Sequence, residues 1–380
     1  MKTNWQTKKL DEACDVEYGT RVVNKKHGGS KYPVYGGGGA TFFMDRDNRE
    51  DRMVVARFAM SEQCTRFVKG KFFLNDSGLT VSPKNIKEIS QDFLDLQLYF
   101  LNDFIYSLAR GAAQKNLDVP AFRNMEITYP ESITEQHRIV KILDEVFENV
   151  EKAKENAEKN LKNSKELFES YLQNVFANPG KDWEEKKLEE LGQITSSKRI
   201  YKKEYVEEGV PFYRIKEIKE LAHDKDITLE LFISESRYKE IKNVFGIPKE
   251  GDILMTAVGT IGEIYVVKKD EKFYFKDGNI LWFKNFDSVS PYFLKFVLMS
   301  FVEQINKLSK GSAYSALTIE KIEKHKIFIP KLISEQKAIV KKLDELSEQT
   351  KKLEGIYKQK LADLEELKKS VLNKAFSGEL

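Results

Sequence analysis

An internal repeat constrains the fold of this chain more than any other feature of its sequence. The segment that begins at Trp5 recurs at Trp183, an offset of 178 residues, and further along the chain the offset becomes 200. Residues 131–178 and 331–378 share 17 identities in 48 aligned positions. The second copy has therefore gained 22 residues in its first part, and one structural unit has been used twice.

Each copy is expected to contain a globular part followed by a long helix. Short β-branched and aromatic runs bounded by Gly and Pro predict strands in the globular parts, and apolar runs with helical spacing accompany them. The sequence thus predicts an α+β fold with a pseudo-two-fold internal repeat. We expect globular parts at 1–134 and 179–334, and long helices at 135–178 and 335–380.

Both predicted helices carry apolar residues at three- and four-residue spacing, flanked by charged residues. Such heptads are typical of coiled coils, and the small seam residues of the first helix favour packing against the larger ones of the second. We expect an antiparallel pair about 65 Å long, with Thr134 and Ser334 as N-caps; two separate surface helices are the alternative. The predicted seam or partner-contact positions are Leu143, Val146, Val150, Leu167, Leu343, Leu346, Leu353, Tyr357, Leu364 and Leu367.

The composition favours a folded protein without a membrane-spanning segment. A hydrophobic fraction of 41% and an aromatic fraction of 12% provide enough apolar side chains for two buried cores. No apolar run approaches the length of a transmembrane helix, and the N-terminal residues lack the apolar segment of a secretory signal. Cys14 and Cys64 form no CxxC pair. Neither a disulfide framework nor a metal site is therefore expected, and a reducing cytoplasm is the expected location.

With its order of globular part, long helix, globular part and long helix, the chain resembles the specificity subunits of type I restriction–modification systems. The resemblance spans essentially the whole chain and rests on motifs that are weak alone but duplicated at consistent offsets. These are the Trp-x-x-x-x-Leu starts (Trp5, Leu10, Trp183, Leu188), the Tyr32-Pro-Val-Tyr-Gly-Gly and Gly251-Asp-Ile-Leu segments, the Gly111 and Gly311 segments that end at Pro130 and Pro330, and the helix starts at Glu135 and Glu335.

The resemblance implies that the globular parts are target-recognition domains, each recognising one half of a split, asymmetric site in double-stranded DNA. The helix pair would fix the gap between the half-sites and bind two modification (methyltransferase) subunits. The chain is expected to be non-catalytic and to bind no cofactor or metal itself. Its partners, the modification subunits and the restriction (nuclease–translocase) subunits, are expected to use S-adenosylmethionine, ATP and Mg²⁺.

The overall charge gives little support for DNA binding. The net charge is +3, and residues 1–134 carry 19 basic and 17 acidic side chains while residues 179–334 carry 27 and 25. Neutralisation of DNA phosphates by this chain should therefore be modest, and a partner is expected to supply much of the contact to the DNA backbone.

Local basic and amide clusters are better candidates for DNA contacts than the whole-domain charge. The Arg21 cluster recurs at Arg199, which favours function, although a solvated surface loop fits equally well. Arginine can contact guanine bidentately, and asparagine or glutamine can contact adenine. The candidate DNA-binding residues are Arg21, Lys25, Lys26, Arg57, Lys69, Lys71, Gln114, Lys115 and Asn116 in the first copy, and Lys198, Arg199, Lys202, Lys203, Arg214, Lys216, Lys276, Tyr314 and Ser315 in the second.

Two loops allow both a functional and a plain structural interpretation. Residues 114–116 differ from residues 314–316, as loops that recognise different sequences would, but drift in an unconstrained loop gives the same difference. Gly36–Gly39 is not followed by the Lys-Ser/Thr of a phosphate loop. It is either a tight loop near DNA or a hairpin turn.

Catalytic motifs are absent from the sequence. There is no Asn-Pro-Pro-Tyr or Asp-Pro-Pro-Tyr tetrapeptide, as adenine methyltransferases carry, and no Walker motif for ATP. A standalone nuclease or methyltransferase is therefore the weaker alternative to a specificity subunit. A second alternative is a coiled-coil scaffold or decoy that binds the partner subunits without recognising DNA.

Overall fold

The computed structural model describes residues 4–308 and 318–380, with residues 305–308 described by their backbone only. The chain forms two compact units, Met1–Glu158 with Lys358–Leu380, and Lys159–Tyr357. Each unit therefore combines one globular part with the beginning of one long helix and the end of the other.

The first unit contains ten strands and five short helices among its described residues, and the first long helix begins in it. The strands are β1 (Trp5–Lys9), β2 (Cys14–Tyr18), β3 (Tyr32–Tyr35), β4 (Ala40–Met44), β5 (Arg49–Ala56), β6 (Thr65–Leu74), β7 (Gly78–Pro83), β8 (Ala109–Arg110), β9 (Asn116–Leu117) and β10 (Glu126–Pro130). The helices are α1 (Leu10–Ala13), α2 (Asn24–His27), α3 (Gln91–Phe100), α4 (Asn102–Ser107), α5 (Val119–Asn124) and α6 (Ile133–Ala177).

The second unit repeats this plan with additional elements. Its strands are β11 (Trp183–Lys187), β12 (Gln193–Thr195), β13 (Tyr205–Val206), β14 (Val210–Tyr213), β15 (Phe232–Ile233), β16 (Ile253–Thr256), β17 (Ile264–Val266), β18 (Tyr274–Phe275), β19 (Ile280–Lys284) and β20 (Lys326–Pro330). Its helices are α7 (Leu188–Leu191), α8 (Ile215–Ala222), α9 (Glu235–Val244), α10 (Pro291–Leu308), α11 (Ile319–Glu323) and the start of α12 (Ile333–Ser377).

The sheets of the two units share their connectivity. In the first unit a six-stranded sheet has the order β2-β7-β5-β6-β3-β4, in which only β3 and β6 are parallel. The second unit has the orders β12-β19-β16-β17 and β13-β15-β14-β18, and only β14 and β18 are parallel. β14 therefore corresponds to β3, and β16 to β5. The 22 additional residues lie between β14 and β16, where the chain forms α8, β15 and α9.

A buried core supports the main sheet of the first unit. Helix α3 contributes Phe93, which is fully buried and makes an edge contact with Trp5, the two ring centroids being 6.3 Å apart. Cys14 and Cys64 are free and buried in the same core, where desolvation raises the pKa of the Cys64 thiol to about 11. The two thiols therefore contribute as small apolar side chains.

The entry strand of each unit pairs with the strand that leads into a long helix. Trp5 lies opposite Pro130 in the antiparallel β1–β10 pair, and Trp183 lies opposite Pro330 in the β11–β20 pair. The duplicated Trp-x-x-x-x-Leu motif thus closes each globular part against the start of its helix.

A buried glutamine fixes each helix start to its globular part. Gln136 is fully buried; its Oε1 accepts a hydrogen bond from Ser90 N (2.8 Å), and its Nε2 donates to Glu88 O and Pro130 O (both 2.8 Å). Gln336 makes the equivalent three bonds to Ser290 N (2.7 Å), Ser288 O (3.3 Å) and Pro330 O (3.0 Å). The side-chain amides of Gln136 and Gln336 are thus fully hydrogen-bonded. They fix the start of α6 relative to the segment before α3, and the start of α12 relative to the segment before α10.

The long helices pack against each other within each unit. In the first unit Arg138 donates to Leu380 O (2.8 Å), and Lys154 Nζ lies 2.9 Å from Glu365 Oε1, so the two segments run antiparallel. In the second unit Leu172 and Leu343 belong to one buried cluster. The predicted α+β fold, in two repeats with packed long helices, is confirmed.

The predicted seam fits the structure in part. Leu143, Val150 and Leu343 are buried, and Val146, Leu346, Tyr357 and Leu364 are half-buried. Leu167, Leu353 and Leu367 are 51%, 37% and 46% exposed and are not part of a buried seam. Near Leu167 the packing passes to Leu172 and Phe168, because the apolar stripe of an α-helix drifts from a strict heptad. That these exposed leucines contact a partner subunit stays a prediction.

The predicted N-caps Thr134 and Ser334 are wrong. The helices begin at Ile133 and Ile333, so both residues lie in the first turn. In the first copy Ser132 takes the capping place, since its Oγ accepts from Glu135 N at 3.4 Å.

Candidate DNA interface

Four consecutive glycines form a tight loop after β3. A Cβ on Gly36 would lie 2.1 Å from Ser77 Oγ, and a Cβ on Gly37 would lie 2.9 Å from that of Ala56. Gly37 N donates to Ser77 Oγ (3.4 Å), whereas the space around Gly38 is open. The loop therefore needs glycine for close packing at its base and presents bare backbone at its tip.

Arg57 stands beside this loop, directly after β5. Its guanidinium carbon lies 4.9 Å from the ring centre of Tyr18 and 4.5 Å from that of Phe58, and Nη1 donates to Asp76 O (3.4 Å). Both rings are substantially exposed. Arg57 is therefore a half-buried cation held in one orientation by two aromatic faces at the surface of the unit.

The hairpin formed by β8 and β9 packs onto the segment that follows Arg57. Met60 N donates to Lys115 O (2.8 Å), and Ala59 N donates to Asn116 Oδ1 (3.1 Å). Lys115 Nζ lies 4.4 Å from the ring centre of Tyr106. The structure thus brings together three predicted candidates, Arg57, Lys115 and Asn116, with the exposed Gln114 beside them.

The other first-copy candidates are exposed but more dispersed. Arg21 comes directly after Thr20, whose backbone N–H donates to Leu74 O, and Lys25 and Lys26 lie in α2. In the antiparallel β5–β6 ladder Lys71 lies opposite Glu50, near the start of β5, and Lys69 precedes it by two residues, on the other side of Gly70. These two lysines lie at the opposite end of β5 from Arg57.

The second unit has a basic cluster of different composition. Lys198 N donates to Tyr274 Oη (2.6 Å), and Lys198 Nζ lies 4.8 Å from the ring centre of Phe245. Arg199 Nε lies 2.7 Å from Asp277 Oδ2, next to Lys276. The structure therefore brings Lys198, Arg199 and Lys276 together.

Other second-copy candidates follow this cluster in sequence, are neutralised or lie outside the described residues. Lys202 and Lys203 are exposed in the short 3₁₀ turn Lys202–Glu204. Arg214 bonds to Glu217 and Glu230, and Lys216 bonds to Glu230, whose pKa is lowered to about 2 by Lys216 and Arg214. Arg214 and Lys216 thus stabilise the start of α8. Tyr314 and Ser315 lie outside the described residues.

Sequence reasoning missed the aromatic partners of the basic residues. Tyr18, Phe58 and Phe245 are 44%, 39% and 45% exposed, yet each lies against a cation. The signal available for Phe58 was its position directly after Arg57. For Tyr18 and Phe245 the contact forms only on folding.

Comparisons with known proteins identify the family. The model of the type I restriction modification DNA specificity domain matches residues 2–160 and 180–365. The chain belongs to this family. It is a type I specificity subunit, which is a non-catalytic subunit of such a system, and the prediction from the sequence is confirmed.

Relatives agree with this assignment over most of the chain. The specificity subunit is 26% identical over 366 residues to a putative type I restriction enzyme specificity subunit of Haemophilus influenzae, covering 92% of this chain and 89% of the relative. It is 25% identical over 341 residues to the MjaVIII specificity subunit of Methanocaldococcus jannaschii, covering 82% and 76% of the two chains.

Solved structures share the fold. A chain from a study of complex assembly in a type I R-M system aligns with a TM-score of 0.77 at 19% identity, covering 99% of the specificity subunit and 98% of that chain. The HsdS subunit of Thermoanaerobacter tengcongensis aligns with a TM-score of 0.62 at 19% identity, covering 100% and 98%.

The described residues form neither a metal site nor a membrane-spanning helix. They contain no group of three or more His, Cys, Asp or Glu side chains placed to hold a metal ion. Among the same residues, no helix is both long and apolar enough to cross a membrane.

Proposed function

We propose that this specificity subunit recognises a bipartite, asymmetric DNA sequence, with residues 1–134 binding one half-site and residues 179–334 the other. The long helices at 135–178 and 335–380 set the spacer and bind two modification subunits. The observation that carries the proposal is the duplicated unit with unlike basic surfaces. Two unlike domains on one chain suit two unlike half-sites, as symmetric dimers suit palindromes.

In the first domain we assign base recognition to the surface around Arg57. A guanidinium held between Tyr18 and Phe58 loses little conformational freedom on binding and can present two donors to a guanine edge. The glycine loop allows close approach of backbone N–H groups to a phosphate, and Lys115 adds a nearby positive charge.

In the second domain we assign recognition to the exposed Lys198, Arg199 and Lys276. Arg199 is 64% exposed and is paired through Nε with a single carboxylate, Asp277, whereas the half-buried Arg214 is held by two. At an offset of 200, the position of Arg57 is occupied by Ala257, which is buried. The second domain therefore lacks the arginine that dominates the first surface. This difference supports recognition of a different base sequence by each domain.

Under this proposal the partner subunits carry out the catalytic reactions. Two modification subunits use S-adenosylmethionine to methylate adenine, and restriction subunits use ATP and Mg²⁺ for translocation and cleavage. Because neither domain is strongly basic, the modification subunits also supply much of the contact to the DNA backbone.

Arg57→Ala is expected to weaken DNA binding by the assembled methyltransferase by about 1–3 kcal/mol and to relax one base position in one half-site. The measurement is methylome sequencing of cells that express the modification partner with the wild-type or variant subunit, followed by DNA titration of the purified complex.

Arg57→Lys is the matched control, because it keeps the charge and loses the bidentate fork. It should relax the same position while retaining more affinity than the alanine variant. Lys87→Ala, an exposed change in the loop before α3, should leave the motif unaltered. An unchanged motif in both Arg57 variants would contradict the assignment of Arg57, and methylation without any sequence preference would favour the scaffold alternative.

A further inference from the structure

A second polar site lies in the first unit. A cavity of about 620 Å³ opens where α3, β6 and the two long helices meet. Its three carboxyl groups belong to Asp92 and Asp95 on α3 and Asp144 on α6, its two basic side chains are Arg66 and Lys368, and its aromatic rings are Phe67, Tyr99 and Phe147. The cavity is thus lined by aromatic rings and by more carboxyl groups than basic side chains.

Asp95 is the unusual member of this cavity. Its side chain is 3% exposed, Oδ1 accepts from Gln91 Nε2 (3.0 Å), and Oδ2 has no hydrogen-bond partner. No ion pair involves Asp95 in the described part of the chain, and desolvation raises its pKa to about 7, against the opposing effects of Gln91, the Met53 backbone and the Arg52 charge. A buried carboxyl oxygen without a partner is costly unless something else binds it.

One cation, Lys368, already lies against the aromatic rings of the cavity wall. Lys368 Nζ lies 5.0 Å from the ring centre of Tyr99 and 4.8 Å from that of Phe147. The aromatic faces therefore attract an ammonium group. Within the described residues, neither Lys368 nor Arg66, the two basic side chains of the cavity wall, makes an ion pair with Asp95.

The second copy shows how the equivalent position is satisfied. At an offset of 200, Asp95 corresponds to Lys295 and Asp144 to Asp344, and both second-copy residues line a cavity at the equivalent place in their unit. The charges of Lys295 and Asp344 act on each other. Copy two thus carries its own ammonium beside the helix carboxylate, whereas copy one has a second carboxyl there.

We propose that the first-unit cavity binds the guanidinium or ammonium group of an organic cation, with Asp95 and Asp144 as its carboxylate partners. The cation takes the place that the Lys295 side chain occupies in the second copy. Its charge compensates the buried carboxyl group of Asp95, and its alkyl part lies against Leu96, Val140 and Phe147.

The test is titration of the full-length subunit with n-butylguanidinium by calorimetry, with the neutral and nearly isosteric n-butylurea as the control ligand. Saturable one-to-one binding of the cation alone is expected. Asp95→Asn should weaken it at least about tenfold, because a charge-assisted hydrogen bond is lost. Asp182→Asn, a change of an exposed carboxylate in the second unit, should leave binding unchanged.

Two further variants and one measurement on the assembled complex complete the test. Asp95→Lys copies the second-unit arrangement and should abolish binding while the circular dichroism spectrum is retained; Asp144→Asn should weaken binding without touching the core. If butylguanidinium still binds after assembly with the modification subunit, the natural occupant is a small organic cation. If binding is lost on assembly, the natural occupant is a basic side chain of the modification subunit. Equal binding of cation and urea, or binding unaffected by Asp95→Asn, would overturn the proposal.

Discussion

Replacing Gln136 with methionine is expected to lower the free energy of unfolding of the first unit by about 3–5 kcal/mol. Methionine fills a similar volume but leaves the N–H of Ser90 and the carbonyl groups of Glu88 and Pro130 without their partner in a buried site. Each unsatisfied buried group costs about 1–3 kcal/mol, so the effect is among the largest that one substitution can produce here.

Urea unfolding followed by circular dichroism measures this change, with Gln349→Met as the control. Gln349 is exposed on α12, and its replacement should change stability by less than about 0.5 kcal/mol. Gln336→Met should destabilise the second unit comparably, because its three bonds are equivalent. If Gln136→Met lowered the free energy of unfolding no more than the control does, the hydrogen bonds of Gln136 would not stabilise the unit.

Replacing residues 1–134 with the corresponding domain of another type I specificity subunit should change one half of the methylated motif completely and leave the other half unaltered. The physical reason is that the contacts of this domain to the long helices involve repeated residues, namely Ser90 with Gln136 and Phe93 with Phe376. A donor domain that keeps the serine and phenylalanine equivalents should therefore dock in the same way.

The matched control is the same exchange at residues 179–334, which should change only the other half-site. Methylome sequencing of both chimaeras provides the comparison. Simultaneous change of both halves in either chimaera would contradict independent recognition by the two domains.

Much of the architecture was predictable because it depends on local patterns and on duplication. Between Glu135 and Ala177 the chain contains no Gly or Pro, so a long helix followed directly. Gln136 and Gln336 were visible only as one identity among 17. Their burial could not be predicted, because the bonds join each helix to a loop about 46 residues earlier.

The site was harder to predict than the fold. Arg57 and Lys115 are separated by 58 residues in sequence, and they come close because β8 and β9 pair and pack against the segment that follows Arg57. Arg214 looked like a base contact in the sequence, but Glu217 and Glu230 neutralise it. The Glu217 pair has a helical i,i+3 spacing, but the pair with Glu230 forms only on folding and leaves no periodic signal.

The most direct test of the central claim is methylome sequencing of cells that express this wild-type subunit with its modification partner. We predict adenine methylation at a single motif made of two unlike half-sites separated by a non-specific spacer of fixed length. A continuous palindromic motif, or methylation without sequence preference, would contradict recognition by two different domains held on one chain.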